Sequence, residues 1–444
     1  MRLIHNLVCA KLDDEYLLIN TLNGLMDLID DNTLEILKKW EPMEEITAVT
    51  SEEQSLFESL QKRGYLCTSR EAEQAQKDSI IQALRELHQK NKTKISTITF
   101  VMTYDCNFRC PYCFEGIDHS LRGVYLNEEQ IDAALAFAGD DLKHIGLFGG
   151  EPLLPRTRKA VEYLIQKAPD KSYDVITNGY YLDQFIDLFS KVDVSYIMVT
   201  LDGKKELHDK RRYLANGAPT YDVILANIQK ALESGIPIRI RMNIEKETLA
   251  ESTVLRKELL EKFADYKDLL SFEVSPMMGI DYRERNKLFG ELAKVDFENK
   301  QTSGENVFLT RFSPVVNCVI NGTKLRPTYS YCVGHQTGYI FDPFGLVYTC
   351  LVAVGKRHFA VGSYYPNAGF FETSLKCRNI ETIEKCRDCA YSLICGGGCP
   401  INLGNTKDVY QPECGSILND IHNTLPLLLR AKKSETSGAD HKEG

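Results

Sequence analysis

Apolar and polar positions follow different rhythms along this chain, and the changes of rhythm divide it. Over residues 1–68, the runs 3–12 and 16–22 are strand-like and flank the turn-forming pair Asp13-Asp14. Asn32 is placed to cap a short helix carrying Leu34 and Leu37. A second helix over 52–62 stops at Gly64, and Tyr65-Leu66-Cys67 returns extended. Strands followed by short helices predict a small winged-helix-like unit. In residues 69–94 charge dominates, and Ile80, Ile81, Leu84 and Leu87 form one stripe at helical spacing. That pattern predicts a linker helix packed on the main domain.

Between 95 and 276 short β-forming runs alternate with amphipathic stretches. Strands are predicted at 95–102, 144–148, 173–176, 196–201, 236–243 and 271–275, and helices at 128–138, 158–167, 183–191, 221–234 and 246–263. Such alternation predicts an α/β domain with a parallel sheet and right-handed crossovers. Six units suit a partial (β/α)6 barrel, with its active site at the C-terminal ends of the strands. This domain is expected over 95–310, a cysteine-rich domain over 311–431, and a polar, disordered tail over 432–444.

A length of 444 residues predicts two or three domains with ample core. No apolar run approaches the length needed to span a bilayer, and the first residues form no secretory signal. The protein is expected in the cytoplasm. A net charge of -9 argues against a nucleic-acid surface or a membrane patch. Without an export signal, 14 cysteines read as metal ligands rather than disulfides. Cys9 and Cys67 fall outside any ligand spacing and are expected as small buried residues.

Cys106, Cys110 and Cys113 follow the first barrel strand in Thr103-Tyr-Asp-Cys-Asn-Phe-Arg-Cys-Pro-Tyr-Cys-Phe114, a CX3CX2C spacing. A loop after a strand lets three sulfurs converge on one centre. A structural zinc site closes with four ligands, whereas an iron-sulfur cluster on three cysteines leaves one iron open. The alternatives are a zinc loop completed by a distant ligand, or three unrelated thiols. The loop resembles the CX3CXΦC loop of the radical S-adenosylmethionine (SAM) enzymes, with Tyr112 as the aromatic residue. That resemblance implies a 4Fe-4S cluster whose open iron is chelated by the amino and carboxylate groups of SAM.

The second strand runs into Gly149-Gly150-Glu151-Pro152. The glycines permit close backbone approach to a ligand and Glu151 can accept from an ammonium, although a tight turn would read the same way. The stretch resembles the family element that holds the SAM amino group. After the third strand, Asn178 can bond ribose hydroxyls. After the fourth, Thr200-Leu201-Asp202-Gly203 and His208-Asp209-Lys210-Arg211-Arg212 resemble the SLDG…HDxxR stretch of the peptide-modifying branch. There Thr200 keeps a hydroxyl, and Arg212 is the implied partner of the SAM carboxylate through bidentate pairing. Turn and cap chemistry is the plainer reading of Thr200 and Asn178. Asn243, ending the fifth strand, is a further candidate of the same kind.

The last third carries Cys332-X12-Gly345-X4-Cys350, then Cys386-X2-Cys389-X5-Cys395-X3-Cys399, then Cys414. A pair of zinc ribbons would also use CX2C. The spacing resembles the SPASM extension, which implies two auxiliary 4Fe-4S clusters and so three in all. By resemblance, Cys332, Cys350 and Cys399 hold the first auxiliary cluster, and Cys386, Cys389, Cys395 and Cys414 the second. Cys318 could supply the fourth ligand of the first; otherwise a substrate thiolate would. Cys377 reads as a bystander, and Gly396, Gly397 and Gly398 as allowing the chain to wrap closely around inorganic sulfide.

The resemblance implies a maturase in which a 5'-deoxyadenosyl radical removes hydrogen from a ribosomally made, cysteine-bearing precursor peptide and a thioether results. The N-terminal unit resembles a precursor-recognition domain, to whose sheet edge a leader peptide adds a strand. An electron donor such as flavodoxin or ferredoxin is expected. Relatives of this layout instead make carbon-carbon crosslinks, alter a C-terminal residue, or form formylglycine in sulfatases, a reading the N-terminal unit disfavours. A non-catalytic iron-sulfur electron carrier would have no need of Glu151, Asn178 or Arg212.

Overall fold

The computed structural model describes the chain apart from residues 93, 114–118, 278–281, 304–312, 333–337, 373–374, 404–407 and 431–444. Phe114 and the tail at 432–444 therefore lie outside the described residues. The first run of apolar residues is split into β1 (Arg2–Leu3) and β2 (Leu7–Leu12). The break falls where the His5 and Asn6 amides leave the ladder to donate to the Glu73 carboxylate at 2.9 and 2.8 Å. β2, β3 (Glu15–Asn20) and β4 (Leu25–Ile29) form an antiparallel meander. β4 was not anticipated; Gly24, at φ 72°, turns the chain into it.

Helix α1 (Asp31–Trp40) is capped by Asp30, whose carboxylate accepts from the Thr33 amide at 2.8 Å, so Asn32 lies inside the first turn rather than capping it. α2 (Ser51–Lys62) opens on a Thr50/Glu53 capping box, and β5 (Leu66–Cys67) pairs back onto β1. One face of the meander packs Leu18 against Leu37, Trp40 and Leu60. The other packs Val8, Ala10, Leu17 and Ile19 against Val315, Ile320, Ile421 and Leu425. Cys9 is exposed on β2, on the face opposite the buried Val8, Ala10 and Leu12, and Cys67 is half-buried on β5.

The linker is helix α3 (Arg70–Lys92). Its Ile80, Ile81 and Leu84 pack on Ile383 and Leu393 of the cysteine-rich segment rather than on the barrel, and Lys77 Nζ donates to the Arg387 carbonyl at 2.7 Å.

Six parallel strands follow: β6 (Thr97–Val101), β7 (His144–Phe148), β8 (Ser172–Thr177), β9 (Asp193–Thr200), β10 (Ile238–Ile244) and β11 (Leu270–Pro276), neighbouring one another in chain order. Between them run α4 (Glu128–Ala138), α5 (Arg158–Lys167), α6 (Ile186–Phe189), α7 (Lys205–Arg211), α8 (Tyr221–Glu233) and α9 (Leu249–Lys262). This is the partial barrel. The expected helix over 183–191 is shortened to α6, since Phe185 departs from helical geometry at φ −123° and its ring stacks on Phe189.

The sheet does not stop at β6. β12 (Gly338–Phe341) pairs parallel to β6, and β13 (Leu346–Tyr348), β14 (Gly362–Ser363) and β15 (Gly369–Phe370) continue it antiparallel, giving ten strands in one sheet. Between β11 and β12 lie α10 (Tyr282–Ser303) and α11 (Pro314–Asn321). Among the described residues no helix is long and apolar enough to cross a membrane.

Candidate active site at the strand ends

The loop after β6 is held by backbone bonds to the stretch after β7. Gly150 and Glu151 amides donate to the carbonyls of Thr103 and Asp105 at 2.9 and 2.8 Å. A Cβ on Gly150 would stand 2.5 Å from the Asp105 oxygen, so this glycine is required by the loop itself as much as by any ligand. Cys106, Cys110 and Cys113 line one cavity of about 140 Å³ with Tyr104, Arg122 and Gly150. Asn107 Nδ2 is buried beside it without a hydrogen-bond partner among the described residues.

Burial, followed by the charge of Glu151, pushes the Cys106 thiol up to about 12. Such a thiol gives up its proton when a cation takes the proton's place, so this donor set fits a metal cluster. Among the described residues no three Cys, His, Asp or Glu side chains gather round a single-ion point. The three sulfurs border a space instead.

Glu151 is fully buried and turned inward. Its carboxylate accepts from Thr177 Oγ1 at 2.6 Å and from the amides of Asn178 and Leu153 at 2.7 and 2.9 Å, tying the ends of β7 and β8 together. Burial nonetheless raises its pKa, against the pull of those donors. Asn178 faces the cysteine loop: its Nδ2 donates to Asn107 Oδ1 at 2.8 Å and lies 3.9 Å from the Cys106 sulfur. Thr200 is buried at the end of β9, beside the same mouth.

Two residues beyond Thr200, Asp202 organises the other side. Its carboxylate accepts from the Tyr112 hydroxyl and from the backbone and side-chain nitrogens of Asn243 at 3.0 and 3.2 Å. Arg212 donates to the Tyr112 hydroxyl at 2.8 Å and lies over the Phe108 ring, 5.6 Å from its centroid. Its position is relayed from His208. The Asp202 amide donates to His208 Nδ1 at 3.3 Å, His208 Nε2 meets Thr220 Oγ1 at 3.1 Å, and that hydroxyl donates to the Arg212 carbonyl at 2.5 Å. Burial first, then Arg212, lowers the His208 pKa to about 3, so the ring is neutral and its Nε2 carries the proton. Asp209 takes the amides of Thr220 and Tyr221 at 2.9 Å and so starts α8. Asp202 and His208 were missed as site residues; the signal available was the Leu-Asp-Gly turn and the His-Asp pair.

The cysteines of the last third fall into two groups by the charges they feel. Burial raises the Cys350 thiol to about 11, with Cys399 and Cys332 adding to it. Burial likewise raises Cys386 to about 11, with Cys389 and Cys414 adding, and Cys395 to about 12, with Cys386 and Cys414 adding. Arg378 sits between the groups, donating to the carbonyls of Val409, Gly398, Gly397 and Gln411 at 2.6 to 2.9 Å. Gly396, Gly397 and Gly398 all have positive φ, and a Cβ on Gly398 would collide with the Glu413 carbonyl, so close approach of protein backbone demands them. Cys318 lies apart. Its thiol donates to the Val315 carbonyl at 3.0 Å in the apolar contact with the N-terminal meander. Cys377 Sγ lies 3.4 Å from the Glu372 carbonyl.

Residues 100–270 match the radical SAM superfamily. Fe-coproporphyrin III synthase of Methanosarcina barkeri (strain Fusaro) is 31% identical over 173 residues, 37% of this chain and 41% of that protein, so the match spans less than half of either. Two solved structures share the fold. Native anSMEcpe, an anaerobic sulfatase maturase, with bound AdoMet and Kp18Cys peptide aligns at TM-score 0.56 and 19% identity, over 77% of this chain and 99% of that one. Streptococcus suis SuiB bound to precursor peptide SuiA aligns at 0.53 and 14%, over 92% and 98%. With the three-cysteine loop at the mouth of a parallel half-barrel, these findings make residues 100–270 of this chain a radical SAM domain.

Proposed function

We propose that the chain is a peptide maturase that installs thioether crosslinks in a ribosomally made, cysteine-bearing precursor. Cys106, Cys110 and Cys113 would hold a 4Fe-4S cluster, and Gly149, Gly150, Glu151, Asn178, Thr200 and Arg212, with Tyr112, would border SAM. Bound there, cluster and SAM would supply the radical that removes hydrogen from the peptide. The chain's own part is placement: Glu151 fixes two strand ends, and Asp202 and Tyr112 fix Arg212.

The observation carrying the reading is the division of the last-third cysteines into Cys332, Cys350 and Cys399, and Cys386, Cys389, Cys395 and Cys414. Two such groups suit two auxiliary clusters that take away the electron left when sulfur bonds to carbon. Cys318 is the nearest upstream candidate for a fourth ligand of the first group. An electron donor such as flavodoxin or ferredoxin would reduce the SAM-side cluster. For the leader peptide, the outer edge of β4 is a strand edge without a partner among the described residues. The alignment with SuiB, which covers 92% of this chain, supports a peptide substrate.

The deciding experiment is anaerobic co-expression with a small cysteine-containing peptide encoded beside this gene, followed by intact and tandem mass spectrometry. Loss of two hydrogens per crosslink, with thiols no longer alkylatable and unaffected by reductant, is expected. A modified peptide with every thiol free would move the assignment to carbon-carbon coupling or to formylglycine formation at a serine, and loss of a cysteine's sulfur would move it to formylglycine formation at that cysteine, the reading favoured by the likeness to anSMEcpe.

A further inference from the structure

A cavity of about 240 Å³ lies between the end of β11 and the Cys350/Cys399 group. Its wall includes Ser275 and Pro276 from β11, Arg285 from α10, Cys350, Cys399 and Asp420. The space is smaller than the pockets that enclose whole drug-sized ligands and suits a single peptide side chain. It is reached from the C-terminal end of a barrel strand, where such barrels place their chemistry.

Asp420 enters this cavity from an unusual piece of backbone. The helix over Gly415–Asn419 widens at Asp420–Thr424 into a π-helical turn, a local form often found at functional sites. The carboxylate bonds the side chains of Ser313, the cap of α11, and Asn419, and among the described residues no lysine or arginine is one of the groups acting on it. Every element packed on this turn has a place in its surroundings. α10 brings Arg285, which also bonds Asn402 at 2.8 Å; the loop before the turn brings Glu413; Tyr331 feels the Asp420 charge; β2 brings apolar side chains.

We propose that this cavity seats the reacting cysteine of the peptide and that the Asp420 carboxylate accepts its thiol proton. The S–H bond breaks, its electron pair stays on sulfur, and an O–H bond forms on Asp420. The step is a proton transfer only and needs no oxidant. It rests on the thioether reading above.

Burial, and the charge of Glu413, raise Asp420 to about 6, against the pull of Ser313 and Asn419. A base of that strength is largely ionised at neutral pH, and is stronger than an ordinary carboxylate toward a thiol near 8.5.

The test uses the holoenzyme and the peptide modified in the co-expression experiment, over pH 5.5 to 9. The ratio of crosslinked peptide to 5'-deoxyadenosine is followed for wild type, Asp420→Asn and Asp420→Glu. Asp420→Asn should lower the ratio about 100-fold and abolish the acid limb of its pH profile; Asp420→Glu should restore that limb. Wild-type crosslinking with an indifferent Asp420→Asn variant overturns this inference and leaves the thioether reading standing. A wild-type protein that leaves every peptide thiol free overturns both. Should Asp420→Asn fail to hold iron, Ser313→Ala decides: losing that hydrogen bond should move the acid limb to higher pH, and an unmoved limb overturns the inference.

Discussion

The Arg212 guanidinium and the Asp202 carboxylate meet on one atom, the Tyr112 hydroxyl, which accepts from the first at 2.8 Å and donates to the second. The aromatic residue of the cysteine loop is thereby the joint between that loop and the end of β9. Its hydroxyl is held protonated by burial, which raises its pKa despite Arg212. Tyr112→Phe should weaken SAM binding about tenfold or more, the scale of a hydrogen bond to a charged group, while iron at the first site is retained. Equilibrium dialysis of SAM against iron-loaded protein checks this. Unchanged affinity would mean that Arg212 is not positioned through Tyr112.

Glu151→Gln should destabilise the chain by about 1–3 kcal/mol even without SAM, because a buried amide must then turn a donor toward donors. Denaturant unfolding of the metal-free protein measures it. An unchanged midpoint would assign Glu151 to the ligand alone.

His208 makes stability depend on pH. Its folded value of about 3 lies below the unfolded value of about 6.5. Folding therefore excludes a proton, and the contribution is full above about 6.5 and is lost as pH falls toward 3. Between pH 7.5 and 5.5 the wild type should lose about 1 kcal/mol more than His208→Gln. Parallel curves for the two proteins would contradict the neutral ring.

Iron content should separate the sulfur groups. Cys350→Ala and Cys389→Ala should each lose about four irons, the content of one cluster, without affecting the other. Cys110→Ala with Cys113→Ala should abolish SAM cleavage while the remaining iron stays bound. Iron counting with 5'-deoxyadenosine analysis tests both statements, and cleavage that survives the double change would refute the assignment of the loop.

Leader recognition should depend on β4. Leu28 on this strand is 45% exposed, and Leu28→Asp places a charge on the surface a bound strand would cover. Fluorescence anisotropy of a labelled leader peptide should show binding weakened about tenfold, roughly 1.4 kcal/mol, with SAM cleavage unaltered. Deleting residues 1–68 is a blunter test, since Val8, Leu17 and Ile19 cover Val315 and Ile421.

Much of this was legible in advance where pattern and spacing act locally. β7, α4 and α5 end where periodicity ends them, and the three-cysteine loop follows its strand. What was not legible depends on distant partners. The break before β2 needs Glu73, and the packing of Ile80 and Ile81 needs Ile383. Asp202 and His208 read as turn and helix residues because their partners, Tyr112 and Thr220, are remote or unremarkable in sequence. Glycines 396 to 398 pointed to close approach, but not to Glu413 as the neighbour.

β6 is bonded on one side to β7 and on the other to β12. The strand that leads into Cys106 is thus an interior strand, and the segment preceding Cys350 is threaded onto it in fixed register. A one-residue shift in the register of β12 would turn Tyr339 and Phe341, which share one face, to the opposite face and displace the segment leading to Cys350 relative to the loop after β6. The separation between the two proposed cluster sites is therefore a property of a hydrogen-bond ladder rather than of a hinge between domains, and an electron crossing between them would meet the same gap at every turnover.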